Sequence, residues 1–411
     1  MAAGLGFKTF TTGEVLTAAD TNGYLMQGIL VFASAAARDS AITSPQEGQA
    51  CYLKDTDAVQ TYSGATWVAV GGSTAVNKNY LINGGFAVAQ RGTSFTSGAN
   101  DDDAYTLDRW YILSDTNDVI DVTQETTTVP TNGEFAIALD VETVNKKFGI
   151  ATIIENKDVI GLVGNTVTLS FKAKVSATTK LDNVKAAIVS WSGTADTVTS
   201  DIISAWGAEG TNPTLIANAT YENTPANLSV TTSYATYSIT APVDTASTQN
   251  LILFIWSDVT DTTAGDFLYI AESKLELGSI ATPFKYAGGT FQGELAACQR
   301  YYQRISSDAT ATLANFGAFG MASGTTSAEI YGSKLPVAMR IAPTTLDYAN
   351  VGLRNAVGTV FAATVLTIAS YGTTNQVAAH AVTSSGLTSG ASYGLVANSS
   401  SAAYVGLGAE L

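Results

Sequence analysis

Histidine occurs once in 411 residues, at His380, and cysteine twice, at Cys51 and Cys298. His380 sits among small residues with no sequence signature of a base beside it, less than zinc sites and His-based triads usually need, and two cysteines so far apart make neither a disulfide framework nor a metal-ligand spacing. Enzymes that use carboxylates alone survive this count, so catalysis is demoted but not excluded. Charged residues make up 13% of the chain, against about 25% in an ordinary soluble domain. Positive charge is the scarcer sign: 20 Lys and Arg face 35 Asp and Glu, a net charge of −15. With no basic cluster, such a chain repels phosphate backbones, which argues against a nucleic-acid partner. The longest wholly apolar run, Leu251–Trp256, is far short of the roughly 18 residues of a membrane span. The opening residues lack the basic start and long apolar stretch of a signal peptide.

What fills the space left by charge is Thr, Ser, Asn and Gly, while hydrophobic residues stay at 46%. That is too apolar for disorder and suits a mainly β protein with hydroxyl-rich outer faces. The length predicts two or three domains. Residues 1–72 read as a small α+β module. Thr17 caps a helix reaching about Met26, and Ser34 caps another reaching about Ile42, with a strand at 28–32 between them. A three-stranded meander follows over 49–54, 59–62 and 66–70, and Gly71-Gly72-Ser73-Thr74 reads as a linker. Residues 77–287 carry strand patterns about every 10 residues, the spacing of a β-sandwich or jelly roll. In 166–175 the alternation sends Val167, Leu169, Phe171, Ala173 and Val175 inward. Over 290–305, Phe291, Leu295, Cys298, Tyr302 and Ile305 follow 4-3-4-3 spacing. This is either a helix docked on a sheet or a short neck on a three-fold axis. Residues 306–411 read as a C-terminal β domain.

Three stretches then resemble known proteins. Phe10–Asp20, Ala36-Ala37-Arg38 and Pro45–Leu53 with Tyr62–Trp67 form the first. Asn79–Phe86, Gln90–Thr93 and Leu107-Asp108-Arg109-Trp110, closed by Leu275–Phe284, form the second. Glu294–Gln303, Leu335–Arg340 and Ala409-Glu410-Leu411 form the third. Together they resemble modular bacteriophage virion proteins: tail fibres, minor tail proteins and receptor-binding proteins. The resemblance implies a virion-attachment module at the N-terminus, a carbohydrate-binding-like jelly roll in the middle and a knob at the end. It further implies a homotrimer in the virion, in contact with other tail or capsid proteins and with host surface glycan. A capsid-surface fibre built from the same modules is the alternative to a tail fibre.

Candidate sites follow from chemistry. Trp191, Trp206 and Tyr221 lie in or beside a turn-rich stretch, where exposed aromatic planes beside Asn and Asp suit sugar rings; the plainer reading places Trp191 in a core strand. Asp101, Asp102 and Asp103 are oxygen ligands in a loop, and jelly-roll carbohydrate modules often hold a structural Ca²⁺; the plainer reading is a solvated loop and no cofactor. Leu107-Asp108-Arg109-Trp110 reads as structure, with Trp110 in the core and Arg109 paired with a carboxylate. A polysaccharide depolymerase would need a carboxylate pair around a groove, and no pair is marked. The expectation is therefore a binding protein, not an enzyme.

Overall fold

The computed structural model describes residues 11–21, 29–70, 78–307, 313–332, 334–369, 372–376, 379–383 and 385–411. The chain divides into two compact units, 1–77 and 78–411. In the first, Thr17 opens α1 (Ala18–Asp20) with a reciprocal capping box: its hydroxyl accepts from the Asp20 N–H, and the Asp20 carboxylate accepts from the Thr17 N–H. The further reach of that helix, and the Gly-Gly-Ser linker, lie outside the described residues. Ser34 caps α2 (Ala35–Ala41), its hydroxyl accepting from the Ala37 N–H. β1 (Leu30–Phe32) runs parallel to β2 (Ala50–Leu53), and β3 (Ala58–Tyr62) and β4 (Trp67–Ala69) complete the meander. Arg38 reaches from α2 onto one face of this sheet, 4.8 Å over the Trp67 ring and against Gln60. Val31 and Val68 point from the opposite face and are exposed.

The second unit begins with a sandwich. In chain order its strands are β5 (Ser94–Phe95), β6 (Tyr111–Ser114), β7 (Ile120–Glu125), β8 (Ala136–Val141) and β9 (Phe148–Ile154), with α3 (Asn156–Val159) leading into β10 (Thr166–Val175) and β11 (Val184–Trp191). The hairpin β12 (Ile203–Ala205) and β13 (Thr214–Leu215) precedes β14 (Ala219–Tyr221), β15 (Ala235–Pro242), β16 (Asn250–Ser257) and β17 (Phe267–Leu277). They form two antiparallel sheets, ordered β15-β10-β17-β8-β7-β5 and β14-β11-β16-β9-β6, so the chain crosses repeatedly between layers as in a jelly roll. Between the sheets lies one core, to which β10 contributes Val167, Leu169, Phe171, Ala173 and Val175 as its alternation predicts. The five-stranded sheet is buried on both faces: Leu251, Leu253 and Ile255 of β16 enter the sandwich core, while Ile252, Phe254 and Trp256 join a second cluster on the outer side. Burial on both sides is why this strand reads as a continuous apolar run rather than an alternation.

Thr290 caps α4 (Phe291–Gln299), its hydroxyl accepting from the Gly293 N–H at 3.1 Å. The helix stops there, and the two-heptad stripe expected through Ile305 does not exist. Tyr302 and Ile305 lie on β18 (Tyr302–Ser306), which pairs antiparallel with β26 (Tyr404–Gly408). Strand pairing with the end of the chain overrides the local helical period. Phe291 is 47% exposed and Ile305 37%, whereas Glu294, outside the stripe, is buried and accepts from the N–H groups of Asn83 and Gly288. The helix is fastened to its own chain through Glu294, and the expectation of a helical stripe running from Phe291 to Ile305 is corrected.

Beyond it, β19 (Asn315–Ala322), β20 (Ser327–Tyr331), β22 (Val351–Asn355), β23 (Val360–Ile368), β24 (Ala379–Thr383) and β25 (Ser392–Ala397) close a barrel in the order β19-β20-β24-β23-β22-β25. β21 (Thr345–Ala349) joins β18 and β26 in a three-stranded sheet. The barrel interior mixes Phe316, Ile330, Leu353, Tyr393 and Leu395 with Ala318, Ala328, Ala381 and Ala397, as a small barrel requires, since its bore cannot hold large side chains at every inward position. His380 lies on β24 opposite Glu329 and Thr367.

The short motifs of the second stretch fasten the sandwich to itself, and Arg109 ties it to Glu410, just after β26. Asn79 donates to the carbonyls of Ser273 and Lys285 and accepts from the N–H groups of Leu81 and Leu275. Asn83 donates to Val88 O and Asp108 O, and Trp110, wholly buried, donates to Asn83 O at 3.0 Å. A Cβ on Gly84 would collide with the Ser273 carbonyl, so this close approach demands glycine. Arg109 pairs with Glu410, as its motif predicts.

Candidate ligand trough on the barrel wall

The three aromatics nominated from sequence are brought together, but not as an exposed platform. Trp191 and Trp206 are 9% and 8% exposed, and both pack with Tyr111, Ile252, Phe254 and Trp256 on the outer face of the five-stranded sheet. Tyr221 rests half-buried against the same cluster. The stretch 192–218 folds back over this face, inserting Val198, Ile202 and Trp206. Trp191 donates to Thr194 O at 3.0 Å, Tyr221 donates to Pro213 O at 2.8 Å, and Trp206 meets Phe254 edge-on at 5.8 Å. The polar tips of Trp191 and Tyr221 and the buried rings of both tryptophans are committed to the protein itself. The expectation of sugar stacking at these positions is corrected for that reason: the turn-rich segment is a cover rather than an open loop.

Two lysines hold that cover down. Lys147, 1% exposed, pairs with Asp258 and donates to Ala208 O at 2.7 Å and Thr211 O at 3.2 Å. Lys185 pairs with the other Asp258 oxygen at 2.6 Å and donates to Asn212 Oδ1 at 2.9 Å.

The Asp101-Asp102-Asp103 loop does not converge on a point. Asp102 Oδ1 accepts from the Ser114 N–H at 2.7 Å. Burial, then Asp102 and Asp201, push the Asp103 carboxyl up to about 7. Among the described residues, no group of three or more His, Cys, Asp or Glu side chains is arranged to hold a metal ion.

An open site lies elsewhere, on the outside of the barrel. Strand register places Phe319 of β19, Gly394 of β25 and Arg354 of β22 in one row. Gly394 carries no side chain, so the row has a gap between Phe319 and Arg354, whose Nη2 lies toward the β22–β23 turn, 3.5 Å from where a Gly358 Cβ would stand. The Phe319 ring leans over the gap, 3.1 Å from where a Gly394 Cβ would stand. Leu313, Asn315, Ala356, Ser392 and Val396 extend the walls and floor into a cleft of about 350 Å³, at the lower end of the size of small-ligand pockets. Phe319 is 60% exposed, whereas Phe316, the other phenylalanine of its strand, is buried. Asn315 and Asn355 fix their Oδ1 atoms on the N–H groups of Gly317 and Thr359, each at 2.8 Å. Sequence reasoning missed this site. Its local signals are large apolar side chains at the outward positions 319 and 321, and a glycine inside a strand, which marks a close approach or a gap. The register that unites them is not local.

No family model matches the chain, and no curated protein matches its sequence. Solved structures align with about half of it. The bacteriophage CBA120 tailspike protein 4 enzymatically active domain matches at 17% identity over 49% of this chain, with a TM-score of 0.28; the match spans 21% of the tailspike chain. A CBM22-1 xylan-binding domain from Paenibacillus barcinonensis matches at 12% identity over 51% of this chain and all of its own, TM-score 0.28. A CBM61 module in complex with β-1,4-galactotriose matches at 15% identity over 49% of this chain and 99% of its own, TM-score 0.26.

Proposed function

We propose that the chain is a structural, host-contacting protein of a bacteriophage virion: a homotrimeric tail fibre that attaches through its N-terminal module and touches host surface glycan with its distal β domains. The observation that carries the glycan contact is the trough, where an exposed ring stands across a glycine floor from an arginine. Sugar rings present C–H faces to aromatic planes and hydroxyls to amides and guanidinium groups, and the trough supplies all three. Its lining holds no carboxylate pair of the kind a glycosidase needs, so the proposal is for binding rather than cleavage. Many weak contacts, repeated over three chains and several fibres, supply avidity. The resemblance of the short motifs that fasten the sandwich and tie it to Glu410 supports the virion assignment. Val31 and Val68, exposed on one sheet face of the first unit, support its role in attachment.

Three outcomes are expected. Phe319→Ala should weaken retention on host-cell glycan at least about tenfold, a change of about 1.4 kcal/mol, while thermal unfolding stays within about 0.5 kcal/mol because the ring is mostly in solvent. Unchanged retention would remove the trough from the reading. The full chain should scatter light as three copies, and a chain lacking residues 1–72 should stay folded yet fail to join particles. A one-chain mass sinks the trimer, and normal incorporation of the truncated chain places attachment elsewhere.

A further inference from the structure

We propose that the trough selects an anionic sugar, a pyranose bearing a carboxylate such as a hexuronate or a sialate, with Arg354 as the group that reads the charge. This deepens the glycan reading of the trough and rests on it. The barrel differs from the rest of the chain in charge. From residue 313 onward, Glu329, Asp347 and Glu410 are balanced by Lys334, Arg340 and Arg354, so the net charge of −15 belongs to the preceding residues. An acidic ligand thus meets its weakest repulsion at the barrel.

Most of the barrel's charged groups are also committed away from the trough. Asp347 accepts from the hydroxyls of Tyr302 and Tyr404, each at 3.0 Å. Glu410 pairs with Arg91 and Arg109, and Arg340 donates to the carbonyls of Ala409 and Glu410. Arg354 is exposed and forms no ion pair among the described residues. Asn315 and Asn355 line the trough with their Oδ1 atoms already bonded to backbone N–H groups, which leaves their amide nitrogens as the donors still to be used. A trough offering donors and a guanidinium, with no carboxylate in its lining, matches a ligand rich in acceptors. The guanidinium fork fits the two oxygens of a planar carboxylate, whereas a neutral sugar gains no such pair.

The test places the full-length chain on a glycan array of matched pairs, in which each hexuronate-containing or sialylated oligosaccharide stands beside its carboxyl-reduced counterpart. Retention is expected on acidic members and should fall at least about tenfold on their reduced partners. Arg354→Gln should lose retention on the acidic members by a similar factor and leave the reduced partners unchanged, with its melting temperature unaltered. Equal retention of the native chain on both members of each pair overturns the charge selection. If Phe319→Ala then abolishes that retention, the glycan reading survives without it. Acid preference persisting in Arg354→Gln overturns the assignment of Arg354. Retention on no member at all overturns the glycan reading itself.

Discussion

Glu410→Ala is expected to destabilise the 78–411 unit by about 3–5 kcal/mol, the usual cost of removing one partner from a buried ion pair, and to loosen the barrel from the sandwich. The carboxylate serves two arginines. Oε1 accepts from Arg91 Nη2 at 3.1 Å and Oε2 from Arg109 Nη1, with side chains 14%, 2% and 12% exposed for Arg91, Arg109 and Glu410. Arg109 is further fixed by donating to Ile153 O and by stacking 3.7 Å from the centre of the Tyr301 ring. Burial would pull its guanidinium pKa down, but the Glu410 carboxylate holds it above the usual range. Once that carboxylate is gone, a charge that cannot neutralise stays buried and unpaired. Around it, Ala409 donates to Tyr301 O, and Tyr105 donates to Leu411 O at 2.8 Å, so the loss frees a segment tied to both domains. Thermal unfolding should move from one transition toward two, with the barrel melting first. The double variant Arg109→Met/Glu410→Met, which removes both charges, should recover part of the loss. A shift below about 0.5 kcal/mol for Glu410→Ala would mean that solvent already screens the pair.

That lock also marks where sequence stops being legible. Arg109 asked for a carboxylate, and its motif said so; that the partner is Glu410, at the far end of the chain, is a product of the fold. Thr17 and Ser34 predicted their caps because capping is settled within three residues. The alternation of 166–175 predicted its inward face because every second side chain meets the same core. Tyr302 and Ile305 misled because a 4-3-4-3 pattern is local evidence, while their true partners on β26 lie about a hundred residues onward. Trp191, Trp206 and Tyr221 misled for a related reason. Turn-forming residues announce irregular backbone, but they do not say whether that backbone stands in water or lies folded on a sheet. The trough was hidden because it is made by three strands in register, and register is set by tertiary pairing rather than by any one strand.

The cover over the five-stranded sheet provides the second large effect. Asp258→Ala should cost about 3–5 kcal/mol or more and open the 206–212 segment. Asp258 is wholly buried, and its two oxygens face two ammonium groups, Lys147 and Lys185, which are themselves 1% and 6% exposed. Without it, two like charges share a dry space with only carbonyls and one amide to solvate them. The relief open to the chain is to swing both lysines into water, and they carry the cover with them because they are its anchors at Ala208, Thr211 and Asn212. Lifting it uncovers Trp206 and the stacked pair Phe254 and Trp256, whose ring centres lie 4.4 Å apart. Tryptophan emission should therefore shift to the red, an apolar dye should bind, and protease should cut within 206–212 before the sandwich core yields. Lys185→Met should have a smaller effect, since one ammonium still balances the carboxylate. If Asp258→Ala melts earlier but keeps native emission and protease resistance, the cover is held by its own apolar contacts through Val198, Ile202 and Trp206, and the ion cluster contributes stability without acting as the latch.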